Sequence, residues 1–478
     1  MAATAAAAAH GTCTDFRSGS DARAGQLVYS SGMTALTPDV LNPGVRKREV
    51  LGWAMYDFAN SGYTTVVITA VFAAYFVGGI AGKAAWATFA WTAALSLSYA
   101  IVMLTMPAMG AWADLRAGKK PLLAVVTAGC VISTAALALA GPGSVALAIV
   151  LVVVSNTFYS WGESLIAAFL PELARPHALG RVSGWGWGVG YLGGMLTLGL
   201  CLGYVLWAQA RGLPASHFVP VTMGVTAAMY GAAALVTFAL LKERAQPREA
   251  SAGHPDAGAP SPAAGALATS WAQLRQTYAQ ARHYRDFMWL MACAVCYQGG
   301  VAVAISLAAI YAEQVIGFQP QETMVLIFAL NAAAAAGAFA WGHLQDRIGH
   351  RPALALTLVG WIVTCVIAAL ATTKGAFWWA AAIAGVCMGS SQSAGRAMAG
   401  LFAPPRQLAE FFGLWTVALR LASIVGPLTY GAITWATGGN HRVAILSTTA
   451  LFIVGLVLLT RVNVERGREA ALRTPQGR

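Results

Sequence analysis

Apolar stretches of about 20 residues recur along the chain from Leu51 to Leu459. Each stretch is long enough to cross a hydrocarbon core of roughly 30 Å as an α-helix. The pattern therefore predicts an all-α polytopic membrane protein with 12 transmembrane helices in two groups of six. The predicted spans, numbered helix 1 to helix 12, are 51–78, 87–110, 122–142, 145–168, 184–207, 219–241, 287–312, 323–343, 353–372, 376–401, 410–433 and 443–461.

The spans divide the chain into two halves, a linker between them and a tail at each end. The first tail is rich in Ala, Gly and Ser, and it lacks the basic-then-apolar order of a secretory signal, so we expect it to be disordered. Met33 offers an alternative start of the chain. The linker is charged and contains four prolines, which is typical of an extended cytoplasmic connection. The segments are a tail at 1–50, a six-helix half at 51–241, a linker at 242–286, a second half at 287–461 and a basic tail at 462–478.

The basic residues are distributed unevenly between the two sides of the predicted bundle. Of the 30 lysines and arginines, only Lys83, Arg211, Lys374 and Arg442 fall in loops on one side. Two more lie inside predicted helices, and the other 24 lie in the alternate loops and the tails. Because cytoplasmic loops carry an excess of Lys and Arg, we expect both termini to be cytoplasmic in a multi-pass protein of the cell (inner) membrane.

Composition narrows the possible partners. The chain is 58% hydrophobic and only 10% charged, whereas soluble proteins are about 25% charged. The net charge of +12 comes from short loops rather than from a basic, aromatic-rich surface, so nucleic acid is not an expected partner. We expect the lipid bilayer, a small-molecule substrate and protons as the partners of a monomeric chain.

Two loops in matching positions look alike. "GAWADLRAGKKP" follows helix 2 and "GHLQDRIGHRP" follows helix 8. In each loop a glycine, Gly110 or Gly342, precedes an aspartate by four positions, and basic residues follow. Asp114 and Asp346 are 232 residues apart, which is also close to the separation of helices 1 and 7. An internal repeat of this kind is common in transporters.

These loops resemble motif A of the major facilitator superfamily. The resemblance implies that the glycine allows close helix approach, while Asp114, Asp346 and Arg347 latch neighbouring helix ends on the cytoplasmic side. The first loop departs from the usual motif, since Leu115 stands where Arg is common and Arg116 follows it. Ordinary positive-inside charges would explain the bases but not the repeated glycine and aspartate.

Helix 1 carries polar residues in an otherwise apolar run. Asp57, Asn60 and Thr64 share one helical face with Ser61. A charge at this depth costs roughly 2.5–3.5 kcal/mol, so these residues should face the bundle interior. Asp57 lies about a turn and a half into the predicted helix and is assigned to gating or proton coupling, with an interfacial anchor as the alternative. Asn60 and Tyr63, one turn deeper, are predicted to contact substrate.

Helix 4 places Asn156 and Glu163 two turns apart on one face. Glu163 is a candidate for proton coupling, because a carboxyl group buried in the membrane retains its proton more readily than one in water. The alternative is an ion pair that holds helices together, with Arg396 or Arg420 as the partner. Asn156 is a candidate for substrate binding.

Helices 10 and 11 each contain one arginine. In "GSSQSAGRAMAG", Arg396 follows Gln392 by one turn, and its planar fork of donors suits carboxylates and phosphates. Arg396 is therefore predicted to bind an anionic group of the substrate, or alternatively to cap the cytoplasmic end of the helix. Arg420 is predicted to serve in gating or coupling, and Gly426 and Pro427 beyond it predict a kink.

Other motifs do not support an enzyme. "GVGYLG" at 188–193 has the spacing of a dinucleotide-binding loop, but it lies in an apolar helix where small residues favour packing. "CAVC" at 293–296 has redox spacing, but it lies in a predicted membrane helix without partner ligands. The sequence contains no Walker A loop, no metal-ligand cluster and no nucleophile elbow. We therefore expect no catalytic residues, no cofactor and no metal.

Three longer stretches carry a more specific resemblance. "GWAMYDFANSGYTTVVITAVF", "PELA" followed by "RVSGWGWGVGYLGG", and "EFFGLWTVALRLASIVGP" resemble the vacuole-effluxer-like (UMF) branch of the major facilitator superfamily, over about residues 46–462. Fungal members are implicated in releasing amino acids from vacuoles, so the resemblance implies a major-facilitator fold and solute transport. The positions it marks are Asp57, Asn60, Tyr63, Glu163, Pro171, Ser393, Arg396, Phe412, Gly413 and Arg420.

Helix 7 departs from this family. Members often have Tyr-Asn-Asp-Gly where this chain has "YQGG" at 297–300, so Gln298 keeps an amide while Gly299 replaces the acid. If that acid couples protons in relatives, coupling here depends on Asp57 or Glu163. Otherwise the protein is a facilitator.

The sequence predicts a secondary transporter that works by alternating access around a cavity lined by helices 1, 4, 7 and 10. A small zwitterion such as an amino acid suits a cavity that offers both arginine and carboxylates. The alternative is a membrane sensor or another non-transporting membrane protein. The predicted cavity amides and aromatic residues are Gln298, Asn331, Gln392, Tyr63, Tyr159 and Trp161.

Overall fold

The computed structural model describes residues 40–244, apart from 83 and 85, and residues 283–473. The remaining parts of the predicted tails and linker, and Lys83, lie outside the described residues. Twelve long helices, labelled α1 to α12, correspond to the predicted helices 1 to 12. They are Lys47–Tyr63, Ala87–Arg116, Lys119–Ala136, Val145–Ala167, Leu179–Ala210, Ala215–Leu240, Arg285–Tyr311, Pro320–Ile348, His350–Leu370, Lys374–Phe402, Leu408–Ala436 and His441–Leu459.

The predicted all-α membrane fold is confirmed. Within the described residues, eleven of these helices are both long and apolar enough to cross a membrane. The remaining helix, α10, has 29 residues, but its run of serines with Gln392 and Arg396 lowers its hydropathy. Large apolar side chains such as Phe89, Leu235 and Trp379 are 75%, 70% and 72% exposed, which suits a surface facing lipid.

The helices extend several residues beyond the apolar spans, because helical hydrogen bonding continues into the polar ends. The first segment is the most irregular. After α1 it continues as π-helix at Thr64–Ala70, a short α-helical turn at Phe72–Tyr75 and π-helix again at Phe76–Ile80. Asp57 lies before these irregular turns, ten residues from the start of α1 at Lys47, or about 15 Å along the helix axis.

The end of the bundle where α1 begins and α12 ends is called the tail end here. The groups α1–α6 and α7–α12 meet there, through α2 against α11 and through α5 against both α8 and α10. Gly342 and Gly180 illustrate how close the backbones come, since a Cβ at Gly342 would lie 2.7 Å from the Gly180 carbonyl oxygen. At such positions only glycine avoids a clash.

Charged residues tie together the tail end of the first group. Glu243 accepts backbone N–H bonds from Lys119 (2.7 Å) and Lys120 at the start of α3. The Lys119 ammonium pairs with Glu172, and Arg244 pairs with Glu49 at 2.7 Å. Several bases that indicated topology in the sequence therefore also hold helix ends together.

Both predicted tails are partly ordered. In the first, Leu41 pairs with Ala174 in an isolated antiparallel bridge, and residues 47–50 already belong to α1. In the second, a further helix, α13, spans Val464–Leu472. Asp286 holds α13 by accepting two bonds of 2.7 Å from Arg466. The pattern of apolar spans does not predict α13, because this helix is short and, although amphipathic, polar overall.

Candidate functional site

The aspartates of the two repeated loops form reciprocal caps between the helix groups. Asp114, at the end of α2, accepts the backbone N–H groups of Ala409 (3.1 Å) and Glu410 (2.9 Å) at the start of α11. Asp346, at the end of α8, accepts those of Gly180 and Arg181 at the start of α5, both at 3.1 Å. Each carboxylate therefore supplies the cap that a helix N-terminus needs, from the other group.

These caps are called the two latches here, the Asp114 latch and the Asp346 latch. The glycine of each loop lies against the same partner helix. A Cβ at Gly110 would overlap the Ala409 carbonyl, as one at Gly342 would overlap that of Gly180. Arg347 differs from the expectation, because it is exposed and no described contact engages it. The basic partner of the second latch is instead Arg181, with its Nε 3.5 Å from Asp346.

A buried ion pair near the two latches also joins the two helix groups. Arg396 on α10 donates from Nη1 to Asp57 on α1 at 2.7 Å, and both residues are less than 8% exposed. The other two guanidinium nitrogens donate to Ser183 of α5, from Nε to its hydroxyl (3.1 Å) and from Nη2 to its carbonyl (2.9 Å). Trp53 and Trp187 lie against the guanidinium at 4.7 and 5.2 Å. All three guanidinium nitrogens of Arg396 therefore have a partner.

Gly186 of α5 makes room for this pair. A Cβ there would lie 2.5 Å from Asp57 Oδ2 and 2.6 Å from Arg396 Nη2. A side chain of any size would therefore displace one of the two charged groups. The glycine run of α5 thus serves the ion pair as well as helix packing.

A second ion pair also crosses between the two helix groups. Arg420 on α11 donates from Nη2 to Glu163 on α4. Of the two alternatives that the sequence left for Glu163, the structure shows the ion pair, with Arg420 as the partner. The guanidinium carbon lies 5.3 Å from the Tyr99 ring centroid and 5.8 Å from that of Tyr159. The Glu163 side chain is 26% exposed, against 10% for Asp57.

Two of the three predicted cavity amides meet. Gln298 on α7 donates to the Gln392 side-chain oxygen on α10 at 2.8 Å. Asn331 is not part of this contact, because its amide donates to the Ile327 carbonyl of its own helix at 2.9 Å. The amide pair thus joins α7 to α10 within the second group.

The predicted polar residues of α1 and α4 bond within the first group. The Asn60 oxygen accepts from the Tyr230 hydroxyl of α6 at 2.8 Å, and Tyr63 bonds the Ser155 hydroxyl of α4 at 2.9 Å. Asn156 donates to Ser98 of α2 at 2.5 Å. Asn60, Tyr63 and Asn156 are each bonded within the first group, and the substrate contact predicted for them stays a prediction.

The helix 7 departure has a packing consequence. Gly299 and Gly426 lie at the crossing of α7 and α11, where a Cβ on Gly426 would overlap the Gly299 carbonyl. The helix α11 continues through Pro427 without ending. The close contact thus involves the Gly299 carbonyl, whereas a Cβ at Gly299 itself would make ordinary contacts of 3.6 Å with α11.

Sequence reasoning missed several partners. Ser183, Tyr99 and Trp187 contact the two arginines, yet each lies on a different helix from its arginine. Ser183 stands inside "RVSGWGWGVGYLGG", one of the stretches that carried the resemblance. The family resemblance of this stretch was the only sequence signal that pointed to Ser183.

Solved structures of membrane transporters share this fold. The human organic anion transporter MFSD10 (TETRAN) has a TM-score of 0.67 at 16% identity, covering 86% of this chain and 99% of that chain. The major facilitator superfamily transporter FucP, in its outward conformation, has a TM-score of 0.64 at 17% identity, covering 87% and 98%. These likenesses show the fold alone. With the sequence relatives below, they define an MFS-type membrane transporter rather than an enzyme.

Residues 77–472 match the family described as vacuole effluxer Atg22 like, and the chain belongs to this family. The MFS-type transporter YxiO of Bacillus subtilis (strain 168) is 28% identical over 426 residues, which cover 88% of this chain and 96% of that protein. Autophagy-related protein 22-1 of Aspergillus niger is 26% identical over 220 residues, or 42% of this chain and 35% of that protein. The predicted family is confirmed, and these relatives do not favour the sensor alternative.

Proposed function

We propose that the protein is a secondary transporter that moves a small zwitterion, such as an amino acid, across the cell membrane by alternating access with proton coupling. In this proposal both termini face the cytoplasm and a single chain is the working unit. The tail end is then the cytoplasmic end, closed in the state described above. The division into two moving six-helix halves, 51–241 and 287–461, is part of the same proposal.

One observation carries the proposal. The two helix groups meet at the tail end through contacts that can break and form again, namely the two latches and the Asp57–Arg396 pair. A permanent interface of this size would be expected to be mainly apolar. Exchangeable polar contacts favour two alternating arrangements instead.

The charges between the groups suit a zwitterion. Asp57, Glu163, Arg396 and Arg420 supply both signs of charge at this surface. Because each guanidinium nitrogen of Arg396 already donates a bond, gating suits the Asp57–Arg396 pair better than the substrate contact predicted for Arg396. We assign proton coupling to Glu163, whose side chain is the more exposed of the two carboxylates.

Uptake into proteoliposomes tests the proposal. Purified protein is offered radiolabelled amino acids, dipeptides and sugars, with and without a pH gradient, and protein-free liposomes serve as the control. We expect at least one amino acid to accumulate faster than in the control, and an imposed proton gradient to increase its accumulation. If no member of the panel moves, the zwitterion proposal is wrong. If an amino acid moves but is indifferent to the gradient, proton coupling alone is wrong.

A further inference from the structure

We propose that Arg420 is the group that binds the carboxylate of the solute, and that Glu163 occupies this place when solute is absent. The ligand class is a small solute with a carboxylate and a nearby ammonium group. This inference rests on the proposed function, since it names the site within that transporter. It reverses the roles that the sequence indicated for Arg396 and Arg420.

The two buried arginines differ in how their donors are used. A guanidinium carries five N–H donors, which normally all find acceptors when buried. In Arg396 all three nitrogens donate, to Asp57 and twice to Ser183. In Arg420 only Nη2 has a described partner, Glu163, and Nε is buried without one.

Because Nε has no acceptor, one side of the Arg420 guanidinium is only half used. Nε and Nη2 lie on one side of the guanidinium and together fit the two oxygens of a carboxylate. Glu163 uses only one of these two positions. A solute carboxylate that bonds both would replace Glu163 with a gain of one hydrogen bond. Arg420 thus has an unused nitrogen with which to exchange partners, whereas each guanidinium nitrogen of Arg396 already donates one bond.

The depth of Arg420 also suits a solute site. Arg420 lies 12 residues after the start of α11 at Leu408, or about 18 Å along the helix from the tail end. Arg396 lies six residues before the end of α10 at Phe402, or about 9 Å from the same end. Measured along its own helix, Arg420 therefore lies deeper than Arg396 and also deeper than Asp57, which is about 15 Å from the start of α1.

The surroundings of Arg420 suit a small solute that bears both charges. The rings of Tyr99 and Tyr159 hold the guanidinium in place through cation–π contacts, and Tyr159 stacks on Tyr63 with ring centroids 5.0 Å apart. When a solute carboxylate takes the Arg420 edge, the released Glu163 carboxylate remains beside it. This group can then take up the coupled proton, and its side-chain oxygen, which Glu163→Gln keeps, can accept the ammonium group of the same solute.

Binding and uptake measured on the same variants test the inference. The probes are an equimolar mixture of the common L-amino acids and the matching mixture of their carboxamides, which lack the carboxylate. We expect the amino acids, and not the carboxamides, to raise the melting temperature of the purified full-length protein. Arg420→Lys keeps the positive charge but loses the paired N–H donors of the guanidinium. The apparent affinity of this variant for the amino acids should therefore fall roughly 10- to 100-fold.

Glu163→Gln separates this role from a structural one. A merely structural ion pair would lose binding when either partner is changed. If Glu163 competes with solute, Glu163→Gln should instead bind the amino-acid mixture about tenfold more tightly. Arg442→Lys is the matched control, because Arg442 donates to the Ala369 carbonyl near the opposite end, and its binding should equal wild type.

The outcomes separate this inference from the proposed function. If wild type transports an amino acid and Glu163→Gln binds that mixture no more tightly than wild type, Arg420 is not the competed site. The inference is equally overturned if the carboxamides bind as well as the acids. If Arg420→Lys fails to fold, the Glu163→Gln result decides alone. If wild type neither binds nor transports any amino acid, the proposed function is itself wrong.

Discussion

Asp346→Ala should release the tail-end contact between α5 and α8. The substitution removes a carboxylate that is 3% exposed and that accepts two backbone N–H groups, from Gly180 and Arg181, at 3.1 Å each. These two donors belong to the first turn of α5 and have no partner within their own helix. After the substitution they can bond only to water, which the closed arrangement largely excludes.

The magnitude follows from the contacts. Hydrogen bonds to a charged group contribute about 1.5–3 kcal/mol each, and a helix cap about 0.5–2 kcal/mol. Water that enters the gap recovers part of this, so the net loss should be about 2–4 kcal/mol. The equilibrium between the closed arrangement and one with α5 and α8 apart should therefore shift roughly 30- to 1,000-fold towards separation.

Hydrogen–deuterium exchange of the protein in nanodiscs measures this shift. The peptide 180–183 should exchange faster in the variant, since its first two amides, those of Gly180 and Arg181, lose their acceptor directly. The amides of 409–412, beneath the Asp114 latch, should also exchange faster if the two groups separate as bodies. Glu322→Gln is the control, because Glu322 pairs with Lys374 within the second group at the opposite end.

The exchange rate of the amides 409–412 decides whether Asp346 holds the two helix groups together or only caps α5. Faster exchange confined to 180–183 would show that Asp346 stabilises only the first turn of α5. The latch role would then be refuted, whatever the size of the local effect. Equal acceleration in Glu322→Gln would show a general loss of stability instead.

Three further predictions concern other contacts. Gly186→Ala should lower stability by about 1–3 kcal/mol in a thermal melt, because its Cβ meets the ion pair, while Gly199→Ala, which meets nothing within 4 Å, should not. Arg396→Leu leaves a buried carboxylate unpaired and should cost about 3–5 kcal/mol, of which Asp57→Asn in the same chain should restore a large part in a double-mutant cycle. Arg466→Ala should speed amide exchange across α13 without changing solute uptake, as measured by mass spectrometry and proteoliposome assay.

Much of the fold follows from the sequence, for a clear physical reason. A membrane-spanning helix must satisfy its backbone internally and present apolar side chains to lipid, so each span leaves a local signal. The helix α10 tests this rule, since its serines and Arg396 weaken the signal while glycines and alanines still mark it as buried packing. The positions of the two latches could also be predicted, because the repeated glycine and aspartate of each loop are close together in the sequence.

The pairing of the charged residues could not be predicted in the same way. Asp57 and Arg396 are separated by 339 positions, and the helical period assigns Asp57 to a face but not to a neighbour. The same limit explains Asn60, which shares that face yet bonds Tyr230 within its own group. Residue type alone likewise does not separate Arg396 from Arg420, whose difference lies in which donors have acceptors.

The reciprocal latches also constrain the order of biosynthesis. Gly180 and its acceptor Asp346 are 166 positions apart, and Glu410 follows Asp114 by 296. At about 5–20 residues per second, the start of α5 waits roughly 10–30 s after its own synthesis for its cap. The first six helices therefore enter the membrane with this helix terminus unfinished, and the nascent bundle is completed only when the ribosome has made its counterpart.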